Sequence, residues 1–256
     1  MNPHEGARYI NESSGPVYPN AHDEGLNRSD RILRAVRELV LTVGYPKVNV
    51  QDIANAANVG KGTIYLHWDS KDEILDEMLL HEHEQISHQL ITRVRREHQR
   101  VTLSAMGELL YSGVMNNPIL RAYNMGDTRM LGRSAAVLGA PDRLGISLVS
   151  ILTRVEYLEM MRNHGLLVTD ACSLGGRLAI GAVVSGFIVR PDPPTNLVRH
   201  DSCARLLAAV LHRSFEPADC PDSGQLRSAL HQLLREHPIW CAERRTRVVS
   251  KSVVKQ

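Results

Sequence analysis

The chain has 256 residues, 43% of them hydrophobic, enough for a substantial core and more than a single modest domain needs. Its formal net charge of +2 is nearly balanced, so total charge alone points to neither nucleic acid, a membrane surface nor an acidic substrate. Aromatic residues make up only 4%, and apolar side chains recur at helical rather than alternating spacing, so an all-α fold is expected.

Residues 1–25 combine Pro3, Pro16 and Pro19 with glycine, serine, asparagine and scattered charges, the composition of a flexible arm. They hold no apolar run, so no secretory signal is expected and the protein is assigned to the cytoplasm. A minor-groove role for such an arm needs Arg or Lys, but Arg8 stands against Glu5, Glu12, Asp23 and Glu24, which favours a solvated arm. From Arg28 to Val43, Ile32, Ala35, Val36, Leu39, Val40 and Val43 recur every three or four residues, and Gly44 supplies a helix stop. Asn49 is expected to cap a short helix through Ala57, with Asp52 in its first turn. Asn58, Val59 and Gly60 interrupt it, and a third helix covers Lys61 to about Trp68. Ser70 caps a fourth, reaching about Arg96, with Asp72 and Glu73 in its first turn.

Further helices are expected at about 101–115, 118–124, 142–163, 170–189, 198–214 and 223–236, with breaks at Pro118, Pro141, Gly165 and Pro191 to Pro194. The apolar stretch from Leu178 to Val189 is short of the roughly 20 residues a membrane span requires, so no membrane partner is expected. Arg244 to Gln256 is basic and expected to fray, with a DNA-contacting tail as the alternative.

Two short helices joined by a tight turn, the second offered to solvent, form a unit that fits the DNA major groove. Here Val50, Ile53, Ala54 and Ala57 face inward from the first helix, Val59 from the turn and Ile64 from the second. Asn58 stands where the turn needs a left-handed residue, which Asn tolerates. On the exposed side, Lys61 can reach guanine O6/N7 or phosphate, Thr63 a base edge or thymine methyl, and Gly62 lets the backbone approach the duplex. Tyr65, His67 and Lys71 suit phosphate oxygens. Asn49 and Gln51 complete the expected DNA-binding set.

The stretch NVQDIANAANVGKGTIYLHWDSKDEIL, Asn49 to Leu75, resembles the N-terminal domain of the tetracycline-repressor (TetR) family of bacterial regulators. That family's pattern is roughly Thr-x-x-x-Ile-Ala-x-x-Ala-Gly-Val-Ser-x-Gly-x-Ile-Tyr-x-His-Phe-x-Ser-Lys-x-x-Leu. The chain departs from it with Asn49 for Thr, Asn58 and Gly60 for the turn Gly and Ser, and Trp68 for Phe; Gly60 caps less firmly than Ser by a few tenths of a kcal/mol. The resemblance implies a three-helix helix-turn-helix domain at residues 26–86 (motif 49–68) and a larger helical ligand-binding and dimerisation domain at 87–215. Residues 216–256 are left as an extension with one short helix and a basic tail.

It also implies a homodimer on double-stranded, pseudo-palindromic operator DNA, released by a small-molecule effector. Repression is the preferred direction, because a dimer across a promoter blocks polymerase; activation, or a sequence-tolerant nucleoid protein, are the alternatives. In this family the last two core helices form a four-helix dimer contact, which implies Gly175, Ala179, Ala182 and Gly186 on one helix with Leu207, Val210 and Leu211 on the next. Packing within one chain is the competing reading. A largely apolar effector is expected between the 101–115 and 142–163 helices, with Met106, Met125 and Met161 as adaptable lining and Arg154 and Tyr157 orienting it; plain core competes at each methionine.

No enzyme, cofactor or metal site is expected. A recombinase with an accessory helix-turn-helix would need a catalytic domain, and no nucleophile-base constellation follows the motif. Gly60-Lys61-Gly62-Thr63 is no phosphate loop, since the glycine required five residues earlier is Asn55. His83 to His88 misses the H-E-x-x-H spacing by one residue and reads as a solvated helix face. Cys172, Cys203, Cys220 and Cys241 form no C-x-x-C pair and read as reduced thiols, with a Cys220–Cys241 disulfide left open.

Overall fold

The structure is a computed structural model that describes residues 27–135, 144–188 and 200–253, with side chains to residue 243. The arm expected over 1–25, the breaks expected at Pro141 and Pro191 to Pro194, and the end of the basic tail lie outside the described residues. Every regular element described is helical, as the periodicity predicts.

α1 (Arg28–Val43) begins at Asn27, whose side chain accepts a hydrogen bond from the Asp30 N–H, and buries Ile32, Leu33, Ala35, Val36 and Val40. It stops at Gly44, whose φ of +79° and position 2.9 Å (from a Cβ built there) to the Arg129 carbonyl admit only glycine. A 3₁₀ turn, Tyr45–Lys47, leads to α2 (Val50–Ala56) and α3 (Lys61–Tyr65). α4 (Lys71–Arg96) starts at Ser70, which accepts from the Glu73 N–H. Its 26 residues span about 39 Å, so one helix belongs to the N-terminal head at its start and to the C-terminal core at its end. Ile74, Leu75 and Met78 are buried near its start, Ile86, Leu90 and Val94 further on.

The core comprises α5 (Leu103–Asn116), α6 (Pro118–Asn124), α7 (Thr128–Leu131), α8 (Leu148–Leu152), α9 (Val155–Asn163), α10 (Leu174–Ile188), α11 (His200–Phe215) and α12 (Ser223–Val253). α5 and α11 lie closely together: a Cβ at Gly107 would stand 2.6 Å from Leu211 Cδ1. Glu216 ties their ends, accepting from the Ser104 backbone N–H at 2.6 Å and the Ser104 hydroxyl at 3.0 Å.

Two expectations change. The helix expected over 142–163 is broken into α8 and α9, because the Thr153 hydroxyl bonds back to the Val149 carbonyl and Arg154 turns extended as the N-cap of α9. The helix expected to end at residue 236 runs on through Pro238 to Val253. Proline removes one helical hydrogen bond, and contacts beyond it compensate: Trp240 and Glu243 both engage Arg154. No disulfide joins Cys220 to Cys241.

Candidate functional site

The head presents α3 by strictly local means. Asn49 accepts from the Asp52 N–H at 3.0 Å while Asp52 accepts from the Asn49 N–H at 2.8 Å, a reciprocal box that fixes the start of α2. Asn58 takes φ +51°, the left-handed turn residue expected of it. Ile53, Ala54, Ala57 and Ile64 are buried, which holds α3 against α2. Gly60 caps α3 without a side-chain hydrogen bond.

The outer side of this unit exposes Asn49, Gln51, Lys61, Gly62, Tyr65 and His67, with Thr63 half-buried. A Cβ at Gly62 would meet nothing within 4 Å, so no packing inside the chain requires glycine there. Two further residues share this side. Leu66 is 81% exposed, and Lys47 is exposed in the 3₁₀ turn beside α2. Leu66 could have been read from its place opposite the buried Ile64 and Trp68, whereas Lys47 needs the turn geometry.

Lys71, expected at phosphate, is held differently. Its ammonium donates to the Val48 carbonyl at 2.7 Å and the Tyr45 carbonyl at 3.2 Å, and lies 4.2 Å from the Tyr45 ring centroid. The Tyr45 hydroxyl returns a hydrogen bond to the Lys71 carbonyl. The charge is thus spent on bracing the turn before α2.

A second open surface runs along α10 and α11. Leu174, Leu178, Ala182 and Gly186 follow at intervals of four, flanked by Gly175 and Ala179, all exposed, and Leu206 and Val210 continue the strip on α11. A Cβ at Gly186 would meet nothing within 4 Å. Leu207 and Leu211, expected on this surface, are instead fully buried. α11 is apolar on two sides, and the side with these leucines is the one packed on α5. The Leu174 and Leu178 positions were available from the four-residue spacing, which the small residues alone obscured.

A cavity of about 340 Å³ opens in the core among α4, α5, α8, α9, α10 and α12. Met106, Arg154 and Tyr157 line it as expected, but Met125 and Met161 do not. Met161 is fully buried elsewhere in the core, and Met125, at the end of α6, is 42% exposed in a separate groove. The sequence missed His83, Arg177 and Trp240, which arrive at the same cavity from α4, α10 and α12. His83, expected on a solvated face, is buried, with Nδ1 3.4 Å from the Ser87 hydroxyl. Arg154 lies 2.6 Å from Glu243 and 3.2 Å from Glu156, with its guanidinium 5.2 Å from the Trp240 ring centroid. Burial, with Glu216 nearby, pushes the Tyr157 phenol well above its ordinary pKa and keeps it neutral.

Between head and cavity, α4 buries Glu82 completely. Its carboxylate accepts from Arg37 of α1 at 2.9 Å and from Asn117, the N-cap of α6, at 2.6 Å. Desolvation raises its pKa to about 7, opposed by the Asn117 hydrogen bond. No helix of the described residues is long and apolar enough to cross a membrane.

Comparison with known proteins agrees with this geometry. The family model for bacterial regulatory proteins, tetR family, matches residues 32–78, the span from α1 into α4. No curated protein matches the chain significantly. A crystal structure described as a TetR-family transcriptional regulator from Mesorhizobium loti MAFF303099 is 16% identical. It aligns over 74% of this chain and 97% of its own, with a TM-score of 0.51, a likeness of fold. A transcriptional regulator from Saccharomonospora viridis, in complex with choline, is 17% identical over 74% of this chain and 97% of its own, with a TM-score of 0.43.

Proposed function

We propose that the chain, whose residues 32–78 match the tetR-family model, is a DNA-binding transcriptional regulator of that family and acts as a cytoplasmic homodimeric repressor, released from a pseudo-palindromic operator by a small molecule in the core cavity. The observation that carries the reading is the α2–α3 unit: a capped, buried scaffold that turns Lys61, Gly62, Tyr65 and His67 outward together. Lys61 and Thr63 read base edges, with Gly62 admitting the backbone to the groove. Tyr65, His67 and Asn49 hold phosphates, with Gln51 beside them and Lys47 joining the set. Leu66 suits thymine methyls or the sugar edge. Lys71 serves indirectly, by holding the turn that presents α2.

The apolar strip of α10 and α11 supports a dimer, since an exposed contiguous apolar surface marks a partner site. A two-fold pairing through it sets two α3 helices on two half-sites. Release follows from α4, which begins one turn after α3 and lines the cavity with His83, Ser87 and Leu90. A coupling of about 1 to 3 kcal/mol between cavity and head changes operator affinity roughly 5- to 150-fold.

Genome-wide recovery of DNA fragments bound by the protein tests this reading. A shared palindrome upstream of a few genes is expected, with transcripts of those genes rising when the protein is removed. Recovery of fragments without a common sequence would overturn it in favour of a nucleoid protein, and falling transcripts would reverse the direction of control.

A further inference from the structure

The charged groups around the cavity are unequally matched. Arg154 is balanced by Glu156 and Glu243 and already lies over the Trp240 face. Arg177, on α10, also lines the cavity, and its Nε–H donates to the Thr153 carbonyl at 3.2 Å. Among the described residues no carboxylate pairs with it. A guanidinium carries five N–H donors in a planar fork, so the Thr153 contact orients the group and leaves its outer edge for a ligand.

The cavity end nearest Arg177 adds to this polarity. Arg154, Val155 and Glu156 at the start of α9 line the cavity, and no side chain caps that helix, so its first N–H groups are without helical partners. The lining also offers hydrocarbon and an aromatic ring: Leu90, Met106, Leu110, Leu233 and Trp240. At about 340 Å³ the space lies near the lower end of the roughly 300–1,000 Å³ of ligand pockets, the size of one ring system or a medium-length chain.

Resting on the reading of this cavity as the effector site, we propose that its ligand is an amphipathic monocarboxylic acid, with the carboxylate on Arg177 and the hydrocarbon body against Trp240 and the leucine wall. Arg meets carboxylate with two parallel hydrogen bonds, which fixes orientation as well as affinity. An organic cation is disfavoured by the same geometry. It needs an aromatic face and a carboxylate, and the Arg154 guanidinium already lies over the Trp240 ring and beside Glu156. The acid end is thereby read by α10, the helix bearing the proposed dimer strip, while the body touches α4 and α12.

Isothermal calorimetry on the full chain with decanoate, decanol and decyltrimethylammonium separates the possibilities. Decanoate is expected to bind at least tenfold more tightly than either of the others. Arg177→Met, which keeps the stem and loses the fork, should bring decanoate down to the affinity of decanol and leave decanol unchanged. Cys241→Trp, at a partly exposed position of the cavity wall, should weaken all three probes with the far-ultraviolet dichroism intact. Tighter binding of decyltrimethylammonium, or decanoate affinity untouched by Arg177→Met, overturns the proposed ligand class. Binding that survives Cys241→Trp, or no binding of any probe, removes the cavity as the ligand site and the class with it. Decanoate that binds through Arg177 but leaves operator affinity unchanged keeps the chemistry of the site and overturns its role as effector site.

Discussion

On α3 and the turn after it the exposed side carries Lys61, Tyr65 and His67, whereas on α10 and α11 it carries Leu174, Leu178, Leu206 and Val210. The first loses little by standing in water, because its polar groups are hydrated there; in the proposed complex, phosphate and base edges replace that water. The second gains only when water is excluded, since apolar surface is stabilised by burial at about 25 cal/mol per Å². The scaffolds differ accordingly. α3 has 5 residues and is held by a turn, a neighbouring capping box and a few buried side chains, whereas α10 and α11 have 15 and 16 residues and form part of the core. On the proposed reading, the contact that is made and released is polar and locally held, and the contact that persists is apolar and built on long helices.

The comparison breaks most decisively at Gly186. Because a Cβ there meets nothing inside the chain, Gly186→Trp should fold with unchanged dichroism, yet light scattering should show half the wild-type mass. Operator affinity should then fall roughly a hundredfold or more, through lost bivalency. Wild type found as a monomer at micromolar concentration would sink the dimer. On the polar side, Lys61→Ala and Thr63→Ala should each weaken operator binding by about 1 to 3 kcal/mol and spare scrambled duplex. Equal losses on both duplexes would reassign these residues to phosphate.

Glu82, on α4, sets a third case beside these two surfaces, because it ties α1 of the head to the cap of α6 in the core. Its folded pKa of about 7 lies above the ordinary 4.5, so the native state favours the protonated acid. Its contribution is fully present below pH 4.5 and is lost as pH rises through about 7. The loss is on the order of a few kcal/mol. Glu82→Gln, a mimic of the protonated group, should flatten urea midpoints between pH 5 and pH 8; an unaltered pH profile would count against this assignment.

The smallest effect on DNA is expected at Lys71. Lys71→Met should lower thermal stability modestly, by about 1 kcal/mol for lost hydrogen bonds, while the salt dependence of operator binding stays as in wild type. A slope flatter by about one unit would return Lys71 to the phosphate contacts. Tyr65→Phe, by contrast, should weaken operator and scrambled duplex alike, as measured by titration of both.

What could be read before the structure was local. The Asn49 cap with Asp52 in the first turn, the left-handed Asn58 and the stop at Gly44 each follow from side-chain chemistry within a few residues, although the sequence reading missed the reciprocal bond from Asp52 back to Asn49. α11 shows the limit: an apolar stripe says that one side is buried but not which of two apolar sides, and Leu207 and Leu211 proved to be core. The cavity lay beyond reach for a related reason. Arg154, Arg177 and Trp240 are brought together only by the packing of α9, α10 and α12, and α12 passes a proline that sequence reasoning treats as an end. The Arg37–Glu82 pair, 45 residues apart, has no periodic signature at all.

Because Glu82 is satisfied from α1 on one side and from the cap of α6 on the other, the N-terminal head and the C-terminal core cannot be exchanged as free modules. A hybrid that grafts this head onto another core, spliced within α4 beyond Glu82, keeps Arg37 and separates Asn117 from the carboxylate. It then leaves the buried carboxyl without one of its two hydrogen-bond donors, at a cost of roughly 1 to 3 kcal/mol. Functional chimeras of this protein therefore need either a transplanted Asn117 with its helix, or a Gln in place of Glu82 that removes the charge before the splice is made.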